Sequence, residues 1–127
     1  MQMTKDVVAL VGSEPDLGAV VAGMVAAGSE WRVEGVADGG AVRLCDEDGR
    51  AVVTIETPVL VEVAGELTRL LGPEVGEVET PVWWVEARGD EFRAGSEVVA
   101  LRFAARLVER LGGKVWVGDP EYVRDVT

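Results

Sequence analysis

The stretch that decides the fold is Ser96–Val117, which reads SEVVALRFAARLVERLGGKVWV. Ser96 is placed to cap a helix, because its hydroxyl can accept a hydrogen bond from a free first-turn N–H. One broad arc of this helix is apolar and a narrow arc is charged, which predicts a helix that packs onto a sheet. The apolar arc contains Val99, Ala100, Leu101, Phe103, Ala104, Leu107, Val108 and Leu111, and the charged arc contains Arg102, Arg106, Glu109 and Arg110.

The end of the same stretch predicts a strand that follows directly on the helix. Gly112 and Gly113 can adopt the positive φ that ends a helix. Residues 114–117 (KVWV) then form a short strand, which the turn residues Gly118-Asp119-Pro120 stop. The charged residues 119–127 are expected to form a loose tail.

The segments before this stretch predict a central strand, a helix and a meander. Residues 7–11 (VVALV) are continuously apolar, which is typical of a strand buried on both faces. The first helix follows, with Ser13 as its cap, and its small residues allow close approach to a sheet. Residues 31–37, 41–45 and 50–56 alternate between turn signals and predict three antiparallel strands.

The remaining segments complete an α+β pattern. Thr57-Pro58 can open a second helix that ends at Gly72, although residues 57–62 are β-like and could instead extend a strand. Residues 82–88 form a further strand. We predict one domain over residues 1–127, in the order β-α-β-β-β-α-β-α-β. Its mixed, mostly antiparallel sheet of about six strands carries helices on one face, in a ferredoxin-like order with an inserted hairpin and helix.

Net charge limits the classes of partner. The chain of 127 residues has a formal charge of −11, and residues 1–86, with 16 acids and 5 bases, carry all of it. Such acidity argues against nucleic acid and anionic membranes, and it permits a basic protein partner or mimicry of a nucleic acid. The N-terminus has no signal-peptide core, and the longest apolar stretch is too short to span a bilayer. We expect a cytoplasmic protein.

The sequence contains little evidence for a catalytic or metal-binding site. The chain has no histidine, so the usual general base and every histidine-based triad are excluded. Cys45 is the single cysteine and is interpreted as a small strand residue. The acidic run Asp46-Glu47-Asp48 fails the spacing of a calcium loop, and with Gly49 it predicts a hairpin turn. We expect no catalytic residues, no cofactor and no metal.

The tryptophans indicate a candidate binding face. Trp83 and Trp84 are adjacent on one strand, so they point to opposite faces of the sheet. Alternation places Trp84 and Trp116 together on the face away from the helices, along with Val82, Val36, Val52, Thr54, Arg32, Glu34 and Arg43. If this face is open, it is a protein interface, and we take Trp84, Trp116, Val82, Arg43 and Arg32 as its candidate contacts. If the second helix, the 72–80 loop or the tail covers it, the tryptophans belong to the core.

A basic stripe on the closing helix is a secondary candidate. Arg102, Arg106 and Arg110 are spaced by four residues and so lie on one side of the helix. They could receive an acidic partner or a carboxylate ligand. The alternative is an ordinary solvated helix face whose arginine stems cover apolar neighbours.

Parts of the chain resemble small uncharacterised α+β proteins of actinobacteria. The similar segments are ETPVLVEVAGELTRLLG, PVWWVEARGDEF and the alanine-rich closing helix. The resemblance implies no activity and no residue role. Our first hypothesis is therefore a non-enzymatic protein-interaction module, either a homodimer or a partner-binding domain of immunity-protein or antagonist type. The alternatives are a small-ligand-binding regulatory domain and, third, an enzyme that uses carboxylates.

Overall fold

Seven strands and three helices make up the part of the chain that the computed structural model describes, which is residues 6–28, 30–36, 41–72, 78–90 and 92–117. In chain order these are β1 Asp6–Val11, α1 Leu17–Ala27, β2 Arg32–Val36, β3 Ala41–Cys45, β4 Ala51–Glu56, β5 Val59–Val61, α2 Ala64–Leu71, β6 Val82–Gly89, α3 Ser96–Leu111 and β7 Gly113–Val117.

The strands form one antiparallel sheet in the order β2-β3-β4-β6-β1-β7. β5 also pairs with β6. It lies beside the first residues of β6, whereas β4 lies beside the last residues of β6. β6 and β7 flank β1, and α3 connects them by crossing over β1. The predicted α+β sheet with packed helices is confirmed, as are the apolar central strand and the meander β2-β3-β4. The ferredoxin-like order stays a prediction.

The main core lies between the sheet and the pair α1 and α3. Phe103 and Leu107 of α3 are completely buried there, against Val7, Ala9 and Val85 of the sheet. The small residues of α1 approach α3 rather than the sheet. At Gly23 a Cβ atom would lie 2.9 Å from Cδ1 of Phe103, so this position has no room for a larger side chain.

Two predicted helix caps are corrected, and one open alternative is decided. α3 is capped by Gly95, and Ser96 is its first residue, whose Oγ donates to the backbone oxygen of Asp90 over 2.7 Å. The cap of α1 is Asp16, which accepts from the N–H of Ala19 at 2.8 Å, rather than Ser13. Of the two alternatives left open for residues 57–62, the strand is confirmed for residues 59–61, which form β5, and the second helix starts at Ala64.

The prediction that all helices share one face holds for α1 and α3 but not for α2. Leu67 and Leu71 of α2 pack with Val8 and Leu10, whose side chains point to the opposite face of the sheet. We call this opposite face the second face. Alternation along β1 explains the arrangement, because a strand buried on both sides needs an apolar cover on each. The predicted tail, residues 119–127, and most of the acidic 72–80 loop lie outside the described residues.

Val52 does not lie on the second face as predicted. The register between β3 and β4 shifts at Leu44 and Cys45, so that β4 has one more residue than its partner at this point. Such a bulge interrupts strict alternation. Val52 consequently joins the main core beside Val53, at 1% exposure.

Candidate functional site

The register of the sheet brings the predicted tryptophans to the second face. Trp84 of β6 is paired with Leu10 of β1, and Trp116 of β7 is paired with Val8. Both indoles are partly buried and pack against the cluster that contains Leu67 of α2. The indole N–H of Trp84 donates to Oε1 of Glu86 over 3.4 Å. α2 therefore covers part of the surface around these two side chains.

Val82 is a buried member of this cluster. It is 2% exposed and packs with Leu10 and Val61. A side chain this buried cannot contact a partner directly. Its contribution to a binding face is to hold the neighbouring Trp84 in position.

The part of the second face on β2, β3 and β4 and on the end of β6 is polar and charged. One row of paired residues crosses these strands and contains Glu34, Arg43, Thr54 and Arg88. Arg32 and Glu34 are exposed, whereas Arg43 is half-buried. Nη2 of Arg88 donates to Oε2 of Glu86 at 2.9 Å. We call the six charged side chains here the charged patch: Arg32, Glu34, Arg43, Glu56, Glu86 and Arg88.

Cys45 is a buried free thiol at the edge of the charged patch. Burial is the main reason that its pKa is raised, the carboxylate of Glu34 raises it further, and Arg43 opposes these effects. A raised pKa keeps the thiol protonated and poorly nucleophilic at neutral pH. The interpretation of Cys45 as a structural residue is consistent with this environment.

The basic stripe of α3 is a solvated helix face. Arg102 and Arg110 are exposed, and Nη1 of Arg106 pairs with Oε1 of Glu109 at 2.5 Å. Exposed pairs of this kind contribute little to stability. The stripe lies on the outer side of α3, away from the main core.

A cavity of about 390 Å³ lies where α3 ends and β7 begins. Apolar side chains such as Leu10, Val82 and Leu111 form one wall. Glu79 and Lys114 supply charged groups at its lining. Its volume is in the range of small-ligand sites.

Sequence reasoning missed a second cavity, also about 390 Å³, which is lined by Glu30, Trp31, Asp46, Glu47 and Arg93. The indole N–H of Trp31 donates to the backbone oxygen of Ala27 over 3.2 Å. The guanidinium carbon of Arg93 lies 5.7 Å from the centroid of the Trp31 ring, a cation–π distance. Nη1 of Arg93 also pairs with Oδ2 of Asp46. No sequence spacing joins these residues, because they come from three separate connections.

Asp46 organises the turn beside this cavity, as the hairpin prediction requires. Its Oδ1 accepts from the backbone N–H of Asp48 at 2.9 Å and of Arg50 at 3.0 Å. Its pKa is lowered, chiefly by the hydrogen bond from the Arg50 N–H and also by Arg93 and the Asp48 N–H, while desolvation acts in the opposite direction.

The lowered pKa of Asp46 predicts a specific acid sensitivity. A carboxyl whose pKa is depressed by folding stabilises the fold above its unfolded pKa, and that contribution is lost as pH falls through the folded value. Asp46→Asn should therefore be less stable than the wild type at pH 7, and the difference should shrink as the pH falls below 3.8, the ordinary pKa of this carboxyl. Urea unfolding at pH 7 and over a series of acid pH values measures this, with Asp48→Asn as the control for an exposed acid of the same turn. An unchanged difference at low pH would contradict the assignment.

No group of three or more Cys, Asp or Glu residues in the described ranges is arranged to hold a metal ion. Within the same ranges, the helices are all too short or too polar to cross a membrane. Comparison of the sequence with protein-family models and with curated proteins finds no match.

Proposed function

We propose that this chain is a non-enzymatic protein-interaction module that self-associates through the second face. The observation that supports this most is the balance of the charged patch, which has three arginines and three glutamates. The chain as a whole carries −11. The balanced charge of this surface therefore differs from the strong acidity of residues 1–86, which carry all of the net charge.

Local neutrality favours a second copy of the same chain as the partner. Two copies with a large negative charge repel each other over most of their surfaces. In a two-fold symmetric contact, each residue meets a residue that in turn meets it, so one patch must be complementary to itself. Arg43 and Glu34 are paired on neighbouring strands, with Arg32 two residues before Glu34. Rotation about a two-fold axis can bring Arg32 of each copy to Glu34 of the other copy.

An apolar area beside the charged patch supplies the other component of an interface. Val59 of β5 is 57% exposed and is paired with Trp84, and Val63 is 64% exposed at the start of α2. Stable interfaces commonly combine an apolar centre with a polar rim, and aromatic residues are enriched in them. The half-buried Trp84, flanked by Val59, fits the centre, and the charged patch fits the rim.

Charge reversal on β2 tests the proposal. Arg32→Glu and Glu34→Arg should each weaken self-association at least about tenfold, because each places like charges opposite one another. An equimolar mixture of the two variants should recover association, because the reversed charges complement each other. Sedimentation velocity over a range of concentrations measures both effects.

Arg102→Glu is the matched control, since it makes the same charge change as Arg32→Glu on the outer side of α3. It should leave the dissociation constant within about twofold of the wild-type value, as expected for a residue outside the interface. A wild-type protein that stays monomeric at every concentration would overturn the proposal. Equal weakening by Arg102→Glu and Arg32→Glu would do the same.

A further inference from the structure

Phe92 is an exposed aromatic side chain that neither the main core nor the cluster under α2 uses. It is 89% exposed, more than any other large apolar side chain among the described residues. It lies in the connection between β6 and α3, one residue before Arg93. Aromatic residues, phenylalanine among them, are enriched in protein interfaces relative to the rest of the surface.

The connection that carries Phe92 is held in place by hydrogen bonds on both sides. The N–H of Asp90 donates to the backbone oxygen of Val52 at 2.9 Å, and the N–H of Arg93 donates to that of Asp90 at 3.1 Å. The buried Ser96 closes the loop through its Oγ, which donates to the same Asp90 oxygen. A side chain presented by an ordered turn loses less entropy on binding than one on a free loop.

One guanidinium group already forms part of the lining of the cavity beside this loop. It belongs to Arg93, whose guanidinium carbon lies 5.7 Å from the centroid of the Trp31 ring and whose Nη1 pairs with Asp46. The other two carboxylates of the lining, Glu30 and Glu47, are exposed and form no ion pair with a described residue. The lining therefore has an excess of negative charge after Arg93 is paired.

We propose that Phe92 and this cavity form a docking surface for a basic segment of a partner protein. An apolar side chain of the partner covers Phe92, and an arginine or lysine of the partner approaches Glu30 and Glu47. Charge complementarity supports this occupant, because three of the five lining residues are acidic and the chain carries −11. This function is separate from self-association through the second face and does not depend on it.

Selection of random peptides displayed on phage against the full-length chain tests the proposal without assuming a partner. Enriched peptides should contain arginine or lysine next to an aliphatic or aromatic residue. A labelled synthetic copy of the most enriched peptide should then bind at least about tenfold more weakly to Phe92→Ala, as for an interface anchor. Glu47→Lys should weaken it as well, and added salt should lower the affinity.

Val21→Ala serves as the matched control, because Val21 is also an exposed apolar side chain but lies on α1, outside both proposed surfaces. It should bind the peptide as the wild type does. Peptides without basic residues, or binding that Phe92→Ala leaves unchanged, would overturn the proposal. A shift of the monomer–dimer equilibrium by Phe92→Ala would also overturn it, because Phe92 would then belong to a contact between copies. Failure of the charge-reversal test on β2 leaves this peptide test unaffected, so the two proposals fail independently.

Discussion

Replacing Phe103 by alanine should lower the free energy of unfolding by about 3–5 kcal/mol, the range found when a buried aromatic side chain is removed from a core. Phe103 is completely buried on α3 and is the largest of the fully buried side chains. Its ring contacts the backbone of α1 at Gly23, where no side chain fills the space between the helices. The cavity left by alanine can collapse only if α1 moves, which would disturb the whole layer of helices.

The matched control is the neighbouring residue on the same helix. Arg102 is exposed, so Arg102→Ala should change stability by no more than about 0.5 kcal/mol. Urea unfolding followed by circular dichroism measures both variants. A domain of this size has a total stability of about 5–15 kcal/mol, so the Phe103 variant should lose a large fraction of it. Similar losses for the two variants would contradict the placement of α3 against α1 and the sheet.

The pattern of α3 shows why much of this fold could be predicted from sequence. Every side chain that is buried along α3 between Val99 and Leu107 comes from the predicted apolar arc, and Arg102 and Arg110 are exposed as expected. Helical periodicity is a local signal that survives in any packing. The caps were less predictable. Ser96 turns its hydroxyl to Asp90 because the loop before it folds back, which is a contact of the tertiary structure.

The second face was predicted in part, for a related reason. Alternation along single strands correctly placed Trp84 and Trp116 on the same face of the sheet, since the period of two is again local. Alternation cannot say which helix covers which face. The position of α2 on the second face depends on β5, which directly precedes it. The three residues of β5 continue the sheet, so that the chain enters α2 at Ala64 on the same side as these tryptophans. Val52 was misplaced because a bulge depends on the register of two strands.

Phe92 and the Trp31 cavity were missed because their significance arises only in three dimensions. A single phenylalanine between charged residues is ambiguous in a sequence, since it is as consistent with a core residue as with an exposed one. The cavity joins the residue before β2, the β3–β4 turn and the β6–α3 connection. The glycine-rich and acidic composition of these segments signalled turns correctly, but it carried no information about which turns meet.

The Gly112-Gly113 pair shows a further limit, because the sequence presents two equivalent glycines and the structure does not. Both have positive φ, at +78° for Gly112 and +136° for Gly113. A Cβ at Gly112 would meet no atom within 4 Å, whereas a Cβ at Gly113 would lie 1.8 Å from the backbone oxygen of Leu10. Gly113 is paired with Val11 at the start of β7, so the clash is with the central strand itself.

Gly113→Ala should therefore cost more than about 4 kcal/mol, because backbone atoms of β1 and β7 must separate to admit the methyl group. Gly112→Ala should cost only about 1–2 kcal/mol, since it adds backbone strain in open space. Urea unfolding of the two variants makes the comparison, and hydrogen exchange should show that Gly113→Ala first loses protection along β7. Equal costs for the two variants would contradict the close approach of β7 to β1. The predicted difference matters for the second face, because Trp116 packs against the apolar cluster there only while β7 stays paired with β1.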